Sequence, residues 1–191
     1  MINQSNSNVK SVYRRGADDG FLMGLYLSVL FIASVSSIYS ALAGIASIGM
    51  ALAVPFLIFF FLRRGYRSDN CRPQFSALWL HGICIFFFGS LLMALTSYLY
   101  LRFANPTYIT SAIDMAKDIY SSVNTEDARQ MVAMMQKLQD SHMLPTAAQI
   151  AGEIIWTGVF TGSLLSMVVS AIVRSVTRPT PPPPPSNLQQ L

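Results

Sequence analysis

The chain has 191 residues, of which 52% are hydrophobic and only 12% charged, with a mean hydropathy of +0.44. A soluble globular domain carries about 25% charged residues, so this composition reads as a membrane protein. The net charge of +4 sits in short arginine groups rather than on a basic face, which excludes a nucleic-acid-binding domain. Two cysteines exclude a disulfide-stapled secreted module.

Residues 1–15 begin with an Asn/Ser-rich stretch and read as a disordered arm. From Gly20 to Leu62 no residue is charged. As continuous helix that stretch would measure roughly 65 Å, about twice a ~30 Å hydrocarbon core, so it must turn back on itself. Ser40 to Gly44 is the natural break. The expectation is an antiparallel pair of spans at about 21–39 and 45–62, with Pro55 kinking the second. A cleaved signal peptide ending near Ala43 fits the basic start. The apolar run exceeds the usual h-region of about 7–15 residues, however, and no soluble domain follows it.

Span three is expected at about 76–101, with His81 as its ionisable group, and span four at about 150–173. The fold class is therefore all-α: a polytopic four-helix bundle over residues 16–174, with a loop at 103–146 between spans three and four. Within that loop Asn105-Pro106 ends span three. Ile109, Ala112, Ile113, Ala116, Ile119, Tyr120 and Val123 then fall on one helical stripe. Asn124-Thr125-Glu126-Asp127 resembles a capped helix start, with Met131, Met134, Met135 and Leu138 as the apolar face. The loop is thus expected to hold two amphipathic helices, lying on the membrane or capping the bundle. Residues 175–191 form a proline-rich tail that is expected to be extended.

Positive charge sets the orientation. Lys10, Arg14, Arg15, Arg63, Arg64, Arg67, Arg72, Arg174 and Arg178 all fall on one side of a four-span chain. Arg102, Lys117, Arg129 and Lys137 on the other side are mixed with acids. Both termini are therefore expected in the cytoplasm, with the long loop outside.

Lipid gives helices no hydrophobic reason to associate, so small residues four apart mark contact faces. Gly20 and Gly24, continuing to Ser28, do so in span one. Gly158, Gly162, Ser166 and Ser170 do so in span four, and Ala43, Ser47 and Ala51 in span two. Contact within one bundle is the simpler reading, and a homodimer through the span-four stripe the sharper one. Trp79, Tyr98, Tyr100 and Trp156 sit where interfacial anchors belong.

Ionisable groups near the membrane are the functional suspects. Glu153 and Arg102 end their spans on the same side and form a candidate ion pair. His81 lies about 9 Å inside span three. Asp18 and Asp19 open span one on the same side, so a contact with His81 is possible and the three form a candidate intramembrane polar site. Five methionines in and around the loop could bind copper(I). Their helical spacing, and the fit of methionine to adaptable apolar faces, favour a partner surface instead. Cys71 and Cys84 lie at different depths. No CxxC, HExxH, GxGxxG or Walker loop is present. No enzyme activity, metal or cofactor is expected.

Phe75-Ser76-Ala77-Leu78-Trp79-Leu80-His81-Gly82, Phe88-Gly89-Ser90-Leu91 and Tyr98-Leu99-Tyr100-Leu101-Arg102-Phe103-Ala104-Asn105-Pro106 resemble segments of a known family. Its members are small four-span bacterial inner-membrane proteins, typical of Bacteroidota and classed as a domain of unknown function. Gly20-Phe21-Leu22-Met23-Gly24-Leu25-Tyr26 and the arginine-rich loop after Leu62 are similar too, so the likeness runs from about Arg14 to Arg174. The resemblance implies the four-span plan and no catalytic residue. The expected function is an accessory or interaction subunit that contacts membrane lipid and either a membrane-protein partner or a second copy. A small transporter or channel component is the alternative, and an enzyme on a lipid-linked substrate the second alternative.

Overall fold

The computed structural model describes residues 12–68, 74–123, 125–141 and 143–177. The arm at 1–11, Cys71, Arg72, Asn124, His142 and the tail from Arg178 onward lie outside the described residues. The elements are α1 (Val12–Ser36), α2 (Ala41–Ser68), α3 (Phe75–Leu99), a π-helical turn (Tyr100–Ala104), α4 (Tyr108–Ser121), α5 (Glu126–Asp140) and α6 (Ala147–Val176). Among the described residues there is no strand. α1, α2, α6 and the continuous α3–π segment are each long and apolar enough to cross a bilayer, as a multi-pass membrane protein requires.

The helices outrun the apolar segments. α1 begins at Val12, so residues 12–15 belong to the helix rather than to the arm. Asp18 and Asp19 therefore lie in its second turn, beyond the first turn where the helix dipole favours acids. The α1–α2 break comes at residues 37–40, ahead of the Ser40–Gly44 segment. The reason is local: the Ser34 hydroxyl donates to Leu30 O at 2.9 Å and that of Ser37 to Ser34 O at 2.6 Å. Such side-chain bonds compete with the helical ladder. α2 runs uninterrupted through Pro55, whose face is exposed.

Caps define the later boundaries. The Thr125 side chain accepts the Ala128 N–H and opens α5. Thr146 and Gln149 form a reciprocal capping box at the start of α6. At the end of α3 the Asn105 N–H reaches Tyr100 O at 2.9 Å, an i→i+5 bond that inserts one extra residue and rotates the chain beyond it.

α3 is the central rod. Half of its most apolar 18-residue window is buried, against 17–28% for the other three long helices. α1 lies against it in parallel through a fixed register. A Cβ added at Gly16, Gly20 or Gly24 would meet the Cβ of Cys84, Phe88 or Leu92 at 2.5, 2.8 and 2.8 Å. One turn further on, Thr96 Oγ1 bonds Ser28 Oγ at 3.0 Å across the same 68-residue separation. α6 runs antiparallel on another face of α3. Gly82 meets Ser166, Phe86 meets Gly162, and Ser90 meets Gly158. The Gly158–Ser170 stripe is thus occupied by α3, with Gly162, Ser166 and Ser170 buried. A homodimer through that stripe would have to displace α3.

α2 behaves differently. Its Ala43, Ser47 and Ala51 stripe is not a buried face. Instead its second half supplies Ile58, Phe61, Leu62 and Tyr66 to the core, where they pack with Met23, Leu78, Ile85, Phe86, Val169 and Val173. Trp79 also departs from an interfacial anchor: its indole N–H donates to Ser163 O of α6 at 3.0 Å. α4 and α5 pack mainly on each other, and Tyr108 at the start of α4 sits edge-on to Tyr100 at the end of α3.

Candidate functional site

Two constellations of ionisable groups stand out, one at each end of the bundle. The first is at the end where Arg14, Arg15, Arg63, Arg64, Arg67 and Arg174 gather. There His81 Nε2 of α3 lies 3.2 Å from Asp19 Oδ2 of α1, with side chains only 6% and 14% exposed. Successive residues on a helix are turned by about 100°. Asp19 thus faces α3, whereas Asp18 faces outward and is exposed.

Gly65 of α2 forms the third wall. A Cβ there would lie 2.9 Å from both Cε1 and Nδ1 of the imidazole, so the ring fits only because the position carries no side chain. Nε2 can donate to the carboxylate when the ring is neutral and pair with it when protonated. The arrangement ties three helices together and can hold a proton between α1 and α3. Gly65 carries a signal in the sequence: a glycine inside a helix costs about 1 kcal/mol relative to alanine. Its place in Arg63-Arg64-Gly65-Tyr66-Arg67 therefore needs a packing reason.

The second constellation lies at the opposite end. Arg102 and Glu153 are both exposed, and no ion pair joins them among the described residues. This corrects the pairing expected from their positions. Arg102 sits within the π-helical turn, whose extra residue changes the direction of the side chains at the end of α3. It lines a hollow with Ile109, Leu144, Pro145, Thr146 and Ala147. Glu153 instead lines a separate groove of ≈ 920 Å³ with Met93, Met143, Gln149, Trp156 and Thr161. Pro145 belongs to both walls.

The α4–α5 hairpin is held by polar contacts. Lys117 Nζ bonds Asp114 Oδ1 at 2.8 Å and Gln139 Oε1 at 2.5 Å, and Gln139 Nε2 donates to Asp114 Oδ1 at 3.0 Å. These hydrogen bonds, that from Lys117 first and then that from Gln139, hold the Asp114 carboxyl below the usual carboxylate range. Met115, Ile119, Val123, Met131, Met134 and Leu138 remain exposed. Among the described residues no three His, Cys, Asp or Glu side chains converge as metal ligands would.

No curated protein and no solved structure matches the chain. A family model described as "Protein of unknown function (DUF4199)" matches residues 18–175, from Asp18 beside the buried contact almost to the end of α6. The chain belongs to this family of proteins of unknown function.

Proposed function

We propose that the chain is a non-enzymatic interaction subunit of a bacterial inner membrane, with its arginine end in the cytoplasm and the α4–α5 hairpin presented outside to a membrane-protein partner. The observation that carries this reading is the hairpin itself. Its helices pack on each other and leave the apolar side chains of Met115, Ile119, Met131 and Met134 uncovered. Methionine-rich faces suit partner surfaces because the thioether side chain adapts its shape. The glycine and serine stripes of α1 and α6 are used within the bundle, which leaves the hairpin as the recognition element. The orientation is supported by the arginines gathered at the other end.

The test is a photo-reactive residue at position 134 in intact cells. A discrete protein adduct, lost when Met131 and Met115 are both changed to lysine, supports the reading. Adducts to lipid alone overturn it and leave the hairpin as a surface-lying element.

A second reading, a component that moves protons, is favoured by the buried Asp19–His81 contact. It requires proton flux in proteoliposomes that both Asp19→Asn and His81→Ala abolish.

A further inference from the structure

We propose that the groove between α3 and α6 at the hairpin end is a binding site for an amine-bearing phospholipid. In this site Glu153 holds the ammonium headgroup and an acyl chain runs down α6 towards Thr161. The groove measures ≈ 920 Å³ and is lined by Met93, Met143, Ile150, Ile154, Trp156 and Thr157 along with Glu153. From Glu153 to Thr161 the helix rises ~12 Å, enough to take a chain from headgroup level well into the hydrocarbon layer.

Two polar side chains of the lining already have local partners. Gln149 Oε1 accepts the Thr146 N–H at 2.8 Å in the capping box, and Thr161 Oγ1 donates to Thr157 O at 2.6 Å. The Glu153 carboxylate is the charged group of the lining, and no described cation pairs with it. Trp156, one turn along the same helix and 72% exposed, offers an indole face, the aromatic surface that best attracts an ammonium ion. Across Pro145, Arg102 places a positive charge in the adjoining hollow. Glu153 in the groove and Arg102 beside it are the two signs that a zwitterionic headgroup carries. A purely anionic lipid would meet Glu153 with the wrong charge, and a neutral diacylglycerol would leave both charges unanswered.

Gly152 provides the control for the groove, because a Cβ there meets nothing within 4 Å. A large side chain at this position fills the groove without disturbing helix contacts.

The experiment is native mass spectrometry of the full chain, released from detergent containing equal amounts of phosphatidylethanolamine, phosphatidylglycerol and diacylglycerol. The expected result is retention of phosphatidylethanolamine over phosphatidylglycerol by about fivefold, the scale of one interfacial ion pair. Glu153→Gln should bring the two to parity, Glu153→Lys should invert the preference, and Gly152→Leu should reduce retention of every lipid. Equal retention of all three lipids by the wild type means non-selective annular lipid and overturns the proposal. So does a preference that survives Glu153→Gln, or retention unchanged by Gly152→Leu. None of these outcomes depends on the hairpin partner.

Discussion

Asp19 and His81 close a 3.2 Å contact between α1 and α3 at the arginine end of the bundle, against the bare backbone of Gly65. Breaking a buried pair by removing one member leaves the other uncompensated. His81→Ala should therefore cost about 3 kcal/mol of stability, read as thermal unfolding of the purified chain. The double variant Asp19→Ala/His81→Ala should lose less than the sum of the two single variants, because the groups act together. Strict additivity would mean that the contact contributes nothing.

The glycine register between helices gives a sharp contrast. Gly24→Leu drives a side chain into Leu92 and towards Gly89 O, so α1 and α3 must part. The expected loss is about 3 kcal/mol or more. Gly49 has nothing within 4 Å, and Gly49→Ala should stabilise α2 by about 0.5–1 kcal/mol through helix propensity alone. Detergent-unfolding curves of the two variants check the direction of each effect.

Arg102 and Glu153 should behave as independent residues. Both are exposed and unpaired with each other, so the charge exchange Arg102→Glu/Glu153→Arg should change stability by the sum of the single changes to within about 0.5 kcal/mol. A rescue by the double exchange would restore the ion pair.

Acid should reach the hairpin late. A carboxyl with a depressed folded pKa contributes stability that is present above its unfolded pKa and lost as pH falls through the lower folded value. For Asp114, whose carboxyl lies below the usual range, the α4–α5 contact should persist down to the unfolded carboxylate pKa and fail only below it. Asp114→Asn should remove this acid step. Amide exchange at Gln139 measured as a function of pH reports it.

Topology can be read by labelling. A cysteine at Ser68, at the arginine end, should be reached only from the cytoplasm, and one at Ser122, between α4 and α5, only from outside. Labelling of both from one side would overturn the four-span orientation.

The spans, the hairpin helices and the small-residue stripes of α1 and α6 were legible because each is written in local chemistry. Apolar length, capping residues such as Thr125 and Thr146, and four-residue spacing act within a few turns of one helix. The contacts of Gly65 and Gly82 were not legible in the same way. Gly65 sits among arginines, and Gly82 is followed four residues on by the bulky Phe86 rather than by another small residue.

Amino-acid order alone dictates that four apolar helices cross and return, and that an amphipathic pair interrupts the last two. Which faces meet is set by the packing of the whole bundle. It gave the α6 stripe to α3 rather than to a second copy, and chose Asp19 over Asp18 for His81. It also separated Arg102 from Glu153 by a π-helical turn. The physical reason is that helix formation depends on neighbours along the chain. Partner choice depends instead on the rotation and register of whole helices, which one extra residue in a turn or one missing Cβ is enough to change.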